Sequence, residues 1–392
     1  MWKRPWSYRE GLLIGAGLFV AGEALQWSIG GIRWSLLAFP VNVVAAAVYI
    51  AGLLSVHGLR RRVYLFGWLS SPTAAVSALL WTATLTVAMG LIRQRAPGQP
   101  AVDSFGFTQM ISAWPFVLLY LWMLTVLGLT ILRTTPALNL RRLPLFAAHV
   151  GLFVALIAAT LGSADMQRLK MTVRTGQTEW RATDEAGRIT ELPLALELKH
   201  FTMDEYPPKL MLIDNSTGEA LPKEMPANLL LEDSLTTGKL GNWYIRVQKL
   251  FEEATTAALI TATHTASGAV RTGWVSCGSF AFPYKSLKLD SLTSVVMPHR
   301  EPKRFASQVT VFTQAGERHD AVVEVNRPLE IGGWNIYQLS YDANRGRWSE
   351  ISVFEWVRDP WLPVVYGGMF LLALGAVGMF LDFGTKRKEH AV

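Results

Sequence analysis

The stretch LPLFAAHVGLFVALIAATLGS, residues 143–163, decides how this chain is read. A helix needs roughly 20 apolar residues to cross a hydrocarbon core of about 30 Å, and this run has that length with a single ionisable group, His149. Working outward, five more segments approach or meet the same criterion, at residues 11–29, 36–56, 73–92, 113–132 and 361–381. Glu23 lies inside the first, near its outer end, and is read as hydrogen-bonding another helix. That first segment is expected to be a retained helix, because no small-x-small cleavage pattern follows it. Composition agrees with a chain largely in lipid: 51% of its 392 residues are hydrophobic and 17% charged. Several of the 15 tryptophans flank the apolar runs, where amphipathic rings suit the headgroup level. Disorder and collagen-like structure are excluded.

The net charge of +7 is unevenly placed. Residues 164–359 carry 22 Lys and Arg against 25 Asp and Glu, while the remainder carries 15 against 5. The basicity therefore belongs to the membrane part, which speaks for topology and against nucleic acid as a partner. Positive residues in short loops stay on the cytoplasmic side. Lys3, Arg4, Arg9, Arg60, Arg61, Arg62, Arg133, Arg141, Arg142, Lys386, Arg387 and Lys388 fall on one set of alternating segments, and only Arg33, Arg93 and Arg95 on the other. Six crossings in that phase put both termini in the cytoplasm and residues 164–359 outside. The expected architecture is an integral membrane α-helical protein of the inner (cytoplasmic) membrane, with a large extracytoplasmic β-rich domain inserted between helices 5 and 6. Its parts are a five-helix membrane domain at 1–163, the β-rich domain at 164–359, and the sixth helix with a basic tail at 360–392.

Period-two alternation marks the exterior strands: Leu194, Leu196 and Leu198; Ile245 and Val247; Val309 and Val311; Val323 and Val325. Turn clusters at 214–218, 315–317 and Gly332–Gly333 separate them. One antiparallel sandwich or a pair of small sheets would use this length.

Chemistry-bearing residues are few. His149 sits about six residues into its run, roughly 9 Å deep at 1.5 Å per residue. An ionisable group there must face protein or a cofactor, so two readings stand: an interhelical hydrogen bond, or a metal or haem ligand. As a ligand it would use one ring nitrogen, and the other would need an acceptor such as a backbone carbonyl. His57, directly before Arg60, Arg61 and Arg62, reads first as an interfacial residue, with a second iron ligand or a propionate contact as the alternative. Cys277 is alone, so it forms no intramolecular disulfide, and it reads as an unreactive thiol. His200, His264, His299 and His319 have no ligand spacing and read as surface residues. The adjacent acids Asp204–Glu205 and Glu252–Glu253 point to different faces of a strand or turn, which makes a general acid/base pair a poor reading. No P-loop, GxGxxG, GxSxG or HExxH occurs.

Three stretches resemble the ResB/CcsB family of cytochrome c biogenesis proteins. HVGLFVALIAATLGSADMQRLKM, from His149 to Met171, is similar to that family's histidine-bearing helix and exit strand. VNRPLEIGGWNIYQLSYD resembles its VNxPLxxxGxxxYQxSYD signature at Val325, Asn326, Pro328, Leu329, Gly333, Tyr337, Gln338, Ser340, Tyr341 and Asp342. VRDPWLPVVYGGMFLLALG, from Val357 to Gly375, looks like its re-entry into the last membrane helix. Physically the same residues suit turns and a helix start: Pro328 where a ladder ends, Gly332 and Gly333 before Trp334, Asp359 and Pro360 before the apolar run.

The resemblance implies one half of a System II haem export and cytochrome c synthase complex. The partner half would be a CcsA-type membrane protein with a tryptophan-rich WWD segment, and haem b in transit would be held by a pair of transmembrane histidines, one from each half. His149 matches this half's histidine, as an axial ligand of the haem iron. Apocytochrome c, with its CxxCH motif, and a thioredoxin-like thiol reductant are the further partners implied. No WGxxWxWD-like segment is found here, only GNWYIRVQ and GGWNIYQ, so the chain is expected not to be a synthase by itself. The amino-proximal helices depart from the compact family pattern. Two rival readings are a haem b-binding, quinol-oxidising membrane subunit and a membrane scaffold without a cofactor.

Overall fold

The computed structural model describes residues 2–95, 99, 101–137, 139–232, 236–252, 255–279 and 282–389. Glu253 and His390 lie outside the described residues. Among the described residues, six helices are long and apolar enough to cross a membrane. They are α1 (Tyr8–Ile29), α2 (Val41–Leu59), α4 (Pro72–Leu91), α5 (Trp114–Thr134), α6 (Leu143–Gly162) and α7 (Leu362–Glu389), with a five-residue helix α3 (Tyr64–Trp68) between the second and fourth. Local chemistry sets several starts. Ser7 and Glu10 close a capping box on α1, and Ser71 accepts from the Ala74 N–H just ahead of Pro72 on α4.

α1, α4 and α5 form a packed bundle around Ala74, Ala78, Leu119 and Val126, with Trp68 of α3 wedged against Trp6 and Trp122. Helix α3 has no counterpart in the hydropathy reading; it is one turn, too short for a periodicity to register. Glu23 corrects an expectation: it is buried, but neither carboxylate oxygen has a hydrogen-bond partner among the described residues.

The strands lie between α6 and α7. Eight antiparallel strands form the larger sheet, in the order Arg318–Glu324, Pro302–Thr313, Ile189–Glu205, Thr178–Thr183, Gln167–Arg174, Ile351–Arg358, Trp334–Tyr341, Leu329–Ile331. Its inner face buries Leu194, Leu196, Leu198, Val309, Val311, Val323, Trp334, Phe354 and Trp356, as the alternation predicts. Each large side chain so buried stabilises by about 1.5–3 kcal/mol. Val325 departs from the pattern: the strand ends at Glu324, and Val325 is exposed beside the left-handed Asn326 (φ 62°) that turns the chain. Gly332 and Gly333, at φ 58° and 78°, make the two-residue hairpin that sets Ile331 opposite Trp334.

A second core, around Leu212, Trp243, Ile245, Ile260 and Val295, lies among two smaller sheets. Among the described residues, three sheets on two cores thus replace the expected sandwich or pair. The division follows from chain length: the insertion between Glu205 and Pro302 is long enough to bury its own apolar face.

The entry and exit strands pair along their whole length, Gln167 opposite Arg358 and Arg174 opposite Ile351. That pairing brings the helices at their ends, α6 and α7, side by side.

Candidate functional site

Small residues on α6 face α7. A Cβ on Gly151 would stand 2.6 Å from the Gly368 carbonyl oxygen, and one on Gly375 would stand 2.6 Å from that of Pro144, so the two backbones touch. On another flank α6 meets α5, where the Tyr120 hydroxyl lies 3.1 Å from Thr160 Oγ1 and Phe153 abuts Gly128. His149 is half-buried next to the α7-facing Ala148, on a side shared with Leu145 and Leu152, which are 46% and 37% exposed.

The His149 ring is oriented by its own helix: Nδ1 lies 2.7 Å from the Leu145 carbonyl oxygen. A carbonyl only accepts, so Nδ1 carries the proton, and in the neutral ring the lone pair sits on Nε2. Among the described residues no bond to Nε2 is found. The interhelical hydrogen bond of the first reading is not found among the described residues. One nitrogen is anchored to a backbone carbonyl and the other lies at an apolar helix face, as second-shell anchoring of a histidine ligand would require. These features fit an axial haem ligand.

His57 lies in the last turn of α2. Its carbonyl accepts from Arg60 Nη1 at 2.8 Å, and its own Nδ1 is buried without a partner among the described residues.

A polar cluster that the sequence reading missed ties three helices together at the other end of α6. The Asp165 carboxylate accepts from the Phe39 N–H at 2.6 Å, from Asn42 Nδ2 at 2.7 Å and from Trp361 Nε1 at 2.7 Å. Asn42, fully buried, also donates to the Leu161 carbonyl at 3.1 Å. Burial opposes ionisation of Asp165, but the three donors outweigh it and hold the carboxyl below its ordinary range. The available signal was Asn42 opening an otherwise apolar helix. Asp359 completes the junction by accepting from the Trp361 and Leu362 N–H groups at the start of α7.

Elsewhere the candidates resolve into structure. Tyr341 packs on Phe201 and Phe305, and Gln338 is buried with its Nε2 on the Ser340 carbonyl, so the 325–342 signature builds a turn and a core. Asp204 pairs with Arg304 at 3.5 Å in an exposed ion pair and Glu205 with Arg300 at 3.5 Å in a half-buried one, which accounts for both acids. Cys277 is buried, with Sγ 3.6 Å from the Thr256 carbonyl oxygen. A groove of about 200 Å³ beside His299 is lined by Lys209, Arg300 and Glu301, whose charges are paired with one another or with Glu252. No group of three or more His, Cys, Asp or Glu able to hold a metal ion is found among the described residues.

The strands between α6 and α7 also carry a likeness to known proteins. Residues 235–349 match the model of the ResB-like family. The matched range takes in the 325–342 signature and most of the second core, but not the stretches 149–171 and 357–375. It covers under a third of the chain. Among solved structures, a protein titled cytochrome c haem lyase CcmF aligns over 96% of this chain and 46% of its own, at 12% identity. Its TM-score of 0.24 is too low to equate the folds, and this chain spans about half of its length. No curated protein matches.

Proposed function

We propose that the chain is a membrane subunit of a cytochrome c maturation complex. It holds haem b within the membrane at His149 and passes it outward for covalent attachment to the CxxCH motif of an apocytochrome. The observation that carries this reading is the His149 ring itself, Nδ1 fixed on the Leu145 carbonyl and Nε2 free beside exposed leucines. The ResB-like match favours maturation over a quinol-oxidising cytochrome and over a scaffold. Six apolar helices and the distribution of basic residues support a multi-pass inner-membrane protein with both termini cytoplasmic and the strands outside. A CcsA-type partner supplies the WWD segment absent from this sequence, and a thioredoxin-like protein keeps the apocytochrome thiols reduced.

His149 would hold the haem group through Nε2, with the Leu145 carbonyl fixing the ring and Leu145 and Leu152 offering an apolar face beside it. His149→Ala is expected to strip haem from the chain purified out of its native membrane and to lower holocytochrome c, with added imidazole restoring part of both. Wild-type haem content and an unchanged absorption spectrum in that variant would remove the assignment. Reporter fusions at residues 65 and 137 are expected to report cytoplasm, and one near residue 215 the exterior; a cytoplasmic signal at 215 would overturn the direction of transport.

A further inference from the structure

The strands Thr237–Leu240, Trp243–Phe251, Ala257–His264 and Val270–Ser276 form one antiparallel sheet in that order. One face packs Leu240, Trp243, Ile260 and Val275 into the second core. Period two turns the other face outward, and the register lays it out in three rows, each holding a cation on the first two strands: Lys239, Arg246 or Lys249. The outer rows end on apolar side chains of the last two strands, Val270 in one and Leu259 with Trp274 in the other. Tyr244, Val270 and Trp274 are 43%, 52% and 39% exposed. The middle row is tied together by Thr261 Oγ1, which lies 3.0 Å from Thr272 Oγ1 and accepts from Gln248 Nε2 at 2.8 Å. The face is thus divided into a basic stripe and an apolar stripe.

One side of an antiparallel sheet can simply be wet. The larger sheet shows what a wet face looks like in this chain. Its outward side chains mix both signs and pair: Arg168 with Glu355 at 3.7 Å, Arg181 with Glu179 at 2.9 Å, Arg318 with Asp320 at 3.2 Å. On the four-stranded sheet Lys239, Arg246 and Lys249 make no ion pair among the described residues. The acids between residues 237 and 276 are Glu252 and Glu253, both in a turn, and Glu252 is paired with Arg300 at 2.9 Å. Like charges on neighbouring strands repel, and no carboxylate on this face relieves them.

The lipid around the helices is too distant to be the counter-surface. Thr175, eight residues past Gln167, bridges Leu198 in parallel, and the strand through Leu198 runs on to Glu205 before the smaller sheets begin. At about 3.3 Å per residue, roughly 50 Å of strand separates the end of α6 from the second core. Salt screens exposed charges within about 10 Å. Sugar or phosphate polymers would satisfy the cations but offer nothing to Leu259 and Val270, which need apolar counterparts. Tyrosine, tryptophan and arginine are the side chains on which protein interfaces concentrate their binding energy.

We propose that the outer face of the four-stranded sheet docks a partner protein that presents carboxylates beside an apolar patch. The carboxylates lie over Lys239, Arg246 and Lys249, and the apolar patch covers Leu259, Val270 and Trp274. This docking does not rest on the haem-holding reading, which can fail without touching it.

The test is photocrosslinking of the full chain in its native membrane, with p-benzoylphenylalanine placed at Thr272 in the middle row and, as a control, at Thr172 on the outward face of the larger sheet. Light is expected to join position 272, and not position 172, to a protein whose captured segment, identified by mass spectrometry, is acidic and apolar. Raised salt, or Lys239→Glu with Arg246→Glu and Lys249→Glu, should lower that yield on the order of ten-fold, and Arg246→Lys should keep it. Trp274→Ser leaves the charge untouched and should lower the yield without altering its salt dependence; thermal unfolding in detergent shows that each variant is folded. Adducts confined to lipid or polysaccharide, no adduct at position 272, an equal yield at position 172, or a yield indifferent to the charge reversal each overturns the proposal.

Discussion

The α1, α4, α5 bundle and the α2, α6, α7 group are equally apolar in sequence but are built differently. The first closes on itself: Ala74, Ala78 and Leu119 are fully buried, and tryptophans fill the space between helices. It tolerates orphaned polar atoms, among them both Glu23 oxygens, Ser77 Oγ and the indole N–H groups of Trp6, Trp68 and Trp122. The second group leaves its apolar surface open, with Val44, Val48 and Leu54 of α2 and Phe370, Leu374 and Val377 of α7 all more than half exposed. Its polar side chains at the Asn42 and Asp165 cluster are paired with one another across helices. One region closes on its own core; the other is held by the close α6–α7 backbone contact and a few polar joints and keeps a surface for lipid or a partner. His57 and His149 belong to the second.

That contrast predicts where the second group breaks most easily. Gly151→Val would drive a branched side chain into the backbone of α7, where even a Cβ meets Leu372 N and the Gly368 carbonyl. A loss of about 3 kcal/mol is expected, measured by denaturation in detergent micelles. A change below about 0.5 kcal/mol would mean that α6 and α7 part readily and that their contact does not organise the group.

Asp165→Ala comes next. It strands three donors, from Phe39, Asn42 and Trp361, and is expected to cost about 2 kcal/mol and to loosen α2 from α6. The pH dependence has a definite sign. The folded-state carboxyl titrates below its ordinary value of 3.8, so its contribution is complete above that value and is lost as pH falls through the depressed one. The joint should hold at neutral and mildly acidic pH and weaken only below about pH 4, and Asp165→Asn should flatten that part of the stability profile. A variant whose stability loss appears instead between pH 6 and 8 would point to a histidine, not to Asp165.

How much of this could be read beforehand follows from what each feature costs in sequence. Length and hydropathy mark the six long helices because lipid demands a run of apolar residues whatever the neighbours are. Alternation marked the strands around Leu196, Val311 and Ile245 because each has one wet face. The sheet order was not legible, since pairing Gln167–Arg174 with Ile351–Arg358 joins residues far apart in sequence. His149 stood out as the lone ionisable group in its helix, but the bond to Leu145 needed coordinates. His57, at a helix end next to arginines, reads as interfacial with a ligand role as the alternative, and that its Nδ1 is buried without a partner among the described residues needed coordinates. Asp165 lay in plain view within a quoted motif, and without its three donors nothing distinguished it from any polar residue after a helix.

The smallest effect, and the one of opposite sign, concerns Glu23 in the closed bundle. Its side chain is 7% exposed, and neither oxygen has a hydrogen-bond partner among the described residues. A buried carboxyl in that condition pays for its lost hydration without a compensating bond, so replacing it with an apolar side chain of similar volume removes a penalty. Glu23→Leu is therefore expected to raise stability by about 1 kcal/mol, whereas an equivalent apolar replacement at Asp165 lowers it. Glu23→Gln separates volume from polarity: it keeps the shape and the need for a partner, and should fall between wild type and leucine. Thermal unfolding of the three proteins in the same detergent decides the matter. A lower midpoint for Glu23→Leu would mean that the carboxyl does find a partner in the membrane, and that the closed bundle, like its neighbour, is held by a specific polar joint.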